Sequence, residues 1–440
     1  MDLTKPSLAG AALTLIHTGQ ASTRSELTGR LGVTRATTGA ITGELRDLGL
    51  IEVAASFGDG QHGRLQHGRL PHGRPSHSLR PDPDGPVALA AEVHADGFAV
   101  ALIGLGAVIL ARVSRQMPAD ADIEQALAPV TEAAASLLRE WEREHSTRSR
   151  SPRPCAGAAV AVQTAITDPA ETAVGALYLG WPDGTPVRDV FAAQLAAAGV
   201  TGPHGAPLPC RAVNDVNAIA LAEHRHGAGR DASHVLVVVA PQRGVGGALV
   251  RRGALYAGST GLAMEAGHVS IDPHGRPCPC GNRGCLNVET DAAAFLAAVG
   301  GGKDTRADEN TRADGNTKAA GATSAAESTP AIDTAIARLT SGYAADPRVR
   351  DATAAIVERL GLGLASLINV VNPDRVLLGG LHKHLLLADG DRLVQAVAAR
   401  SPWGRAAAVP IEPCALDDSA LLGAAELAWQ PVLDNPALLR

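Results

Sequence analysis

The chain has 440 residues, 45% of them hydrophobic, and carries a formal net charge of −6 with six cysteines. That length allows about three domains with a full core, and the composition excludes a disordered, fibrous or disulfide-stapled chain. No run of about 18 apolar residues is present and the N-terminus lacks the order of a secretory leader, so a cytoplasmic protein with no membrane association is expected.

In chain order, Leu8, Ala11, Ala12, Leu15 and Ile16 recur with helical spacing and predict a first helix. Ser22 or Thr23 can cap a second, with Glu26 as the reciprocal capping partner of Thr23 and Leu27 and Leu31 facing inward. Gly32 and Val33 make a turn, residues 34–48 form a third helix stopped by Gly49, and a strand starts at Leu50. The third helix opens with small and hydroxyl residues, Thr34, Thr37 and Thr38, and with Arg35. Such a start suits a helix that approaches a major groove and touches phosphates, although a small helical domain that binds protein has the same pattern.

Charge favours the first of these. Residues 1–80 hold nine Lys or Arg against six Asp or Glu; taken from the totals of 39 and 45, this leaves 30 basic against 39 acidic residues in the remainder. A basic head on an acidic body implies that only the head approaches a polyanion such as operator DNA.

Between 54 and 80 the triplets His62-Gly-Arg64, His67-Gly-Arg69 and His72-Gly-Arg74 repeat every five residues. They are a repeat expansion in a wing loop, a basic tract in which Arg64, Arg69 and Arg74 with the histidines follow phosphates or enter a minor groove, or a metal-binding His tract. The head is expected to span 1–81, with 82–86 as linker and a second domain from 87 to 440. In that domain strands at 87–112, 157–162, 235–239 and 248–251 alternate with helices at 123–143, 216–224 and 351–371, an α/β pattern. Residues 300–330 are too polar to pack and are expected to be a disordered insertion.

The segment Glu265-Ala-Gly-His268, followed by Cys278-Pro-Cys280 and Gly281-Asn-Arg-Gly-Cys285, carries the chemistry. One imidazole and three thiolates at this spacing can close a tetrahedral structural Zn²⁺ site, and Gly281 and Gly284 permit the tight turns it needs. Three buried or disulfide-bonded thiols are the alternative. Cys155, Cys210 and Cys414 are scattered, as expected of free thiols.

A Glu three residues before a His, then CxCGxxGC, resembles the signature of the ROK family of bacterial sugar kinases and sugar-responsive repressors. The N-terminal pattern is similar to the winged helix-turn-helix heads of ROK repressors, and Gly73-Arg74-Pro75 matches their usual wing ending. The resemblance implies an α/β fold: a winged helix-turn-helix followed by a two-lobed, actin-like (ribonuclease H-like) domain around a sugar cleft. It implies that Asn214 and Asp215 sit at the sugar, with Asp215 as general base in a kinase, that Glu265 and His268 hold sugar hydroxyls, and that His268, Cys278, Cys280 and Cys285 bind zinc.

Three departures from the family follow. The first phosphate turn of its kinases resembles Asp-x-Gly-Gly-Thr, whereas Glu92-Val-His-Ala-Asp96 stands here. The second, Gly-Thr-Gly, is replaced by Gln242-Arg243-Gly244. Where the family has Glu two residues after the last Cys, this chain has Asn287, a sugar contact that cannot accept as an anion, with Glu289 two further on. Phosphate cradles need backbone N–H groups from glycine-rich turns, so ATP and Mg²⁺ are not expected to bind well. The expectation is a sugar-responsive transcriptional regulator, homodimeric or homotetrameric, binding operator DNA and a sugar effector. A sugar kinase with an appended head and a zinc-stabilised scaffold are the alternatives.

Overall fold

The computed structural model describes residues 6–54, 77–117, 121–145, 154–300, 331–402 and 409–440. The His-Gly-Arg triplets, with Arg64, Arg69 and Arg74, and the polar segment 301–330 lie outside the described residues.

Helices Leu8–His17, Arg24–Leu31 and Arg35–Asp47 and an antiparallel pair of strands, Ile51–Ala54 and Ser78–Pro81, build the head. Local chemistry sets its corners. Thr23 Oγ1 accepts from Glu26 N–H at 3.2 Å while the Glu26 carboxylate accepts from Thr23 N–H at 3.1 Å, a complete capping box. Gly32 and Gly49, with φ of 65° and 68°, end the second and third helices in the left-handed region that glycine adopts without strain. Leu13, Ile16, Leu27, Ile41 and Leu45 close the core of the head.

Two five-stranded sheets follow, and they share one topology. In the first, the spatial order is Val108–Gln116, Gly97–Gly104, Val87–His94, Cys155–Val162 and Cys210–Asn214. In the second it is Ala254–Leu255, Gly246–Arg251, His234–Ala240, Arg375–Gly380 and Ile411–Pro413. Each has three antiparallel strands extended by two parallel ones, the duplicated lobe of an actin-like fold. Cys155–Val162 is buried along its whole length, which is why it is an unbroken apolar run in the sequence.

The lobes exchange helices. Asp215–His226 leaves the last strand of the first sheet and packs Val216, Ile219 and Ala220 against Val235, Val237 and Val239 of the second. Ser419–Asp434 leaves the second sheet and returns to the first, where Trp429 Nε1 donates to Ile103 O at 3.2 Å. Helix Pro347–Val371 is long and apolar enough to cross a membrane, yet Val349, Ile356, Leu360, Leu364 and Ile368 lie in the core of the second lobe.

The head is docked on the C-terminal helix. Ser7 N–H donates to Asp434 O at 3.0 Å, and a Cβ on Gly10 would collide with the carbonyls of Leu433 and Asp434. Inside this joint His17 Nε2 and His226 Nε2 each lie 2.8 Å from Glu426 Oε1, and Arg225 Nη1 lies 2.6 Å from Oε2. Two imidazoles and a carboxylate this close resemble a metal cluster. Gly106 N–H, however, donates to His17 Nδ1 at 2.8 Å, so the proton of the neutral ring sits on Nε2, and Arg225 supplies the cation. The group is a hydrogen-bonded ion cluster that ties the head to both exchanged helices.

Candidate functional site

The cleft between the lobes holds a cavity of about 330 Å³, and Asn214, Asp215, Glu265, His268 and Asn287 all line it. Asn214 caps helix Asp215–His226: its Oδ1 accepts from Asn217 N–H at 3.0 Å and its Nδ2 donates to Thr164 O at 3.0 Å. Asp215 therefore starts a helix at the cleft floor. Its Oδ1 accepts from Val216 N–H at 2.8 Å and from Asn214 Nδ2 at 3.0 Å, which leaves Oδ2 for a ligand. Burial, then the nearby Glu92 carboxylate, pushes the pKa of Asp215 up to about 7, and burial likewise raises Glu265.

Asn287 has a different part from the one its position suggests. It is buried, its Oδ1 accepts from Val245 N–H at 2.7 Å and its Nδ2 donates to Tyr178 Oη at 3.0 Å, so its amide is held by the protein. Gly244, at φ 73°, passes so close that a Cβ would strike both Asn287 Oδ1 and Tyr178. Tyr178, which lines the cavity, has no distinguishing sequence signal. Glu289 faces away, pairing with Arg276 at 3.8 Å and Arg359 at 3.5 Å.

His268, Cys278, Cys280 and Cys285 converge, with ligand atoms all within 4.8 Å of one another. Cys280 Sγ and Cys285 Sγ are 3.8 Å apart, as are Cys278 Sγ and His268 Nδ1. A tetrahedral Zn²⁺ with bonds of about 2.3 Å to sulfur and about 2.0 Å to nitrogen sets S···S near 3.8 Å and S···N near 3.5 Å, so the four residues fit the ion. All three thiols are free. With Nδ1 turned to the sulfurs, Nε2 of His268 is the atom left for the cavity, so a bound ion would orient a ligand contact.

The segments Glu92–Asp96 and Gln242–Gly244 meet each other. Arg243 Nη2 lies 2.6 Å from Asp96 Oδ1, an ion pair across the mouth of the cleft. In the head, Arg35 is exposed and Thr34 caps the third helix, its Oγ1 accepting from Thr37 N–H at 3.1 Å. Thr38, expected on the DNA-facing side, is instead buried, with its Oγ1 2.9 Å from Thr28 Oγ1 in the contact between the second and third helices. Its place three residues before Ile41 and four before Thr42, both buried, was the signal for this.

The ROK family model matches residues 95–430. The chain belongs to the ROK family. Relatives include a glucokinase of Halalkalibacterium halodurans, 28% identical over 47% of this chain and 55% of its own length. A putative xylose repressor of a Caldicellulosiruptor species is 32% identical over 39% of this chain and 40% of its own. The N-acetylglucosamine repressor of Escherichia coli O6:H1 is 36% identical over 20% and 22%. The chain thus spans about half or less of the length of these relatives.

Among solved structures, a ROK family transcriptional regulator, a homologue of the E. coli MLC protein, has a TM-score of 0.65 at 22% identity, covering 98% of this chain and 97% of that one. A ROK glucokinase from Streptomyces griseus, solved with glucose and AMPPNP, has a TM-score of 0.57 at 20% identity and covers 78% of this chain but 99% of its own. These likenesses concern the fold: the ROK glucokinase aligns almost completely and leaves about a fifth of this chain over.

Proposed function

We propose that this ROK protein is a sugar-responsive transcriptional regulator, most simply a repressor, whose head binds operator DNA and whose cleft binds a sugar without phosphorylating it. The observation that carries this reading is the head itself, three helices and a two-stranded antiparallel sheet in the order of a winged helix-turn-helix, with Arg35 exposed at the start of the third helix and a core continuous with the exchanged helix Ser419–Asp434. The Asp96–Arg243 pair supports loss of phosphoryl transfer, since the turns that would cradle ATP neutralise each other and Arg243 lacks glycine's close backbone approach. Asp215 and Glu265 supply hydrogen-bond acceptors for sugar hydroxyls, and zinc would hold the loop that carries His268. A sugar that closes the cleft shifts the head only if it favours one lobe arrangement, and in a dimer or tetramer that shift changes the spacing of two heads.

A sugar kinase with an appended head is the second reading, favoured by the retained Asp215, whose pKa of about 7 suits a general base. Thermal shift with xylose, glucose, N-acetylglucosamine and N-acetylmannosamine, with and without ATP and Mg²⁺, separates the two. A sugar-dependent rise in melting temperature, no ATP response and no turnover are expected. ATP-dependent phosphorylation that vanishes in Asp215→Asn would establish the kinase; no response to any sugar would leave the scaffold.

A further inference from the structure

Gln163 follows directly on strand Cys155–Val162 and is 8% exposed. Its backbone N–H donates to Val93 O at 3.1 Å, which holds it at the end of the first sheet. Its side chain reaches the other lobe, where Nε2 donates to Arg243 O at 2.9 Å. That bond settles the amide's orientation, because a carbonyl accepts only from the NH₂ end. The other end, Oε1, is buried and has no donor among the described residues.

A buried acceptor without a donor is costly, and folded proteins seldom keep one without a use. Gln163 lines the same cavity as Asp215 and Glu265. The other amides and the guanidinium there have protein partners: Asn214 with Asn217 and Thr164, Asn287 with Val245 and Tyr178, Arg243 with Asp96. Of the side-chain amide oxygens lining the cavity, Gln163 Oε1 is the one without a donor among the described residues, beside the two carboxylates.

We propose that Gln163 is a specificity-determining residue of the cleft, whose Oε1 accepts a hydrogen bond from one hydroxyl or amide N–H of the bound sugar. This rests on the sugar-binding reading above. It adds that one position of the sugar is read by a neutral acceptor, and that the contact is transmitted through Nε2 to the Arg243 carbonyl of the opposite lobe. A sugar lacking a donor there leaves Oε1 unpaired and binds about tenfold more weakly or worse.

Calorimetry on the full chain tests this with xylose, glucose, N-acetylglucosamine and N-acetylmannosamine, then with the monodeoxy analogues of whichever binds. Gln163→Met keeps the length and removes the amide. The expected result is a cycle in which the variant loses the deoxy penalty at one ring position and keeps the others, since only directly touching groups couple. Gln163→Glu, which keeps an oxygen at the acceptor position and covers the case in which Gln163→Met does not fold, is expected to retain the penalty at that position. Identical penalties in wild type and Gln163→Met overturn the assignment while leaving sugar sensing intact, as does loss of the same penalty in Gln163→Glu. Failure of the wild type to bind any of the four sugars overturns the sugar-sensing reading, and the role of Gln163 with it.

Discussion

Replacing Glu426 by alanine removes the anion on which three donors from two parts of the molecule converge. Its side chain is 1% exposed, and His17, Arg225 and His226, at 0%, 16% and 10%, are left with buried N–H groups turned to an empty space. Breaking a buried ion cluster from one side costs about 3–5 kcal/mol, because the remaining cation stays desolvated and unpaired. Glu426→Gln, which keeps one accepting oxygen, should lose less, about 1–3 kcal/mol. Against a typical total of about 5–15 kcal/mol, either change is readily measured by urea unfolding. The cluster also holds the head, so limited proteolysis should release the head faster in Glu426→Ala. Burial works against the carboxylate, yet the imidazole of His17 and the guanidinium of Arg225 hold its pKa well below the usual value of 4.5. A depressed carboxylate pKa stabilises above the unfolded value and loses that contribution as pH falls below it, so mutant and wild type should differ fully at pH 7 and converge in acid. A loss under about 1 kcal/mol in Glu426→Ala, with proteolysis unchanged, would refute the view that this cluster fastens the head.

Asp215 titrates with the opposite sign: raised to about 7 from 3.8, it contributes fully below about pH 4 and loses that contribution as pH rises through 7. Asp215→Asn should therefore make the ligand-free protein more stable than wild type at pH 8, by about 1–3 kcal/mol, and flatten the melting profile between about pH 4 and 7; a parallel profile would contradict the burial argument. Purified protein should carry about one zinc per chain by elemental analysis, and Cys280→Ser should lose both the metal and thermal stability, whereas full occupancy in that variant would remove the site. In DNA binding, Arg35→Ala should alter sequence choice, while replacing Arg64, Arg69 and Arg74 together should lower affinity uniformly and reduce the salt slope by about 3 if each meets a phosphate. An unchanged slope would take the repeat off the backbone.

The elements of the head and the central strands were legible because their causes are local. A Thr23–Glu26 capping box, glycines at 32 and 49 and an apolar run at 155–162 act over a few residues, and a chain states such signals openly. The His268, Cys278, Cys280 and Cys285 cluster belongs to the same class, since its four side chains lie within 18 residues at a spacing that a tetrahedral ion would require. Thr38 is turned inward because the helical periodicity it shares with buried Ile41 and Thr42 outweighs the polarity of its hydroxyl.

What the sequence determined by itself was therefore the kinds of element, the ROK signature and most of the residues gathered in the cleft. Tertiary structure decided which of those residues remain available. Asn287 is taken by Tyr178, 109 positions away, and Gln163, a residue of the cavity lining, keeps an Oε1 without a donor among the described residues while its other end is held by Arg243, 80 positions away. The joint between head and body pairs His17 with Glu426 across 409 positions, through helices that each lobe lends to the other. Hydrogen-bond capacity belongs to a side chain and can be read from its name; whether it is already spent depends on long-range packing that one sequence does not encode locally.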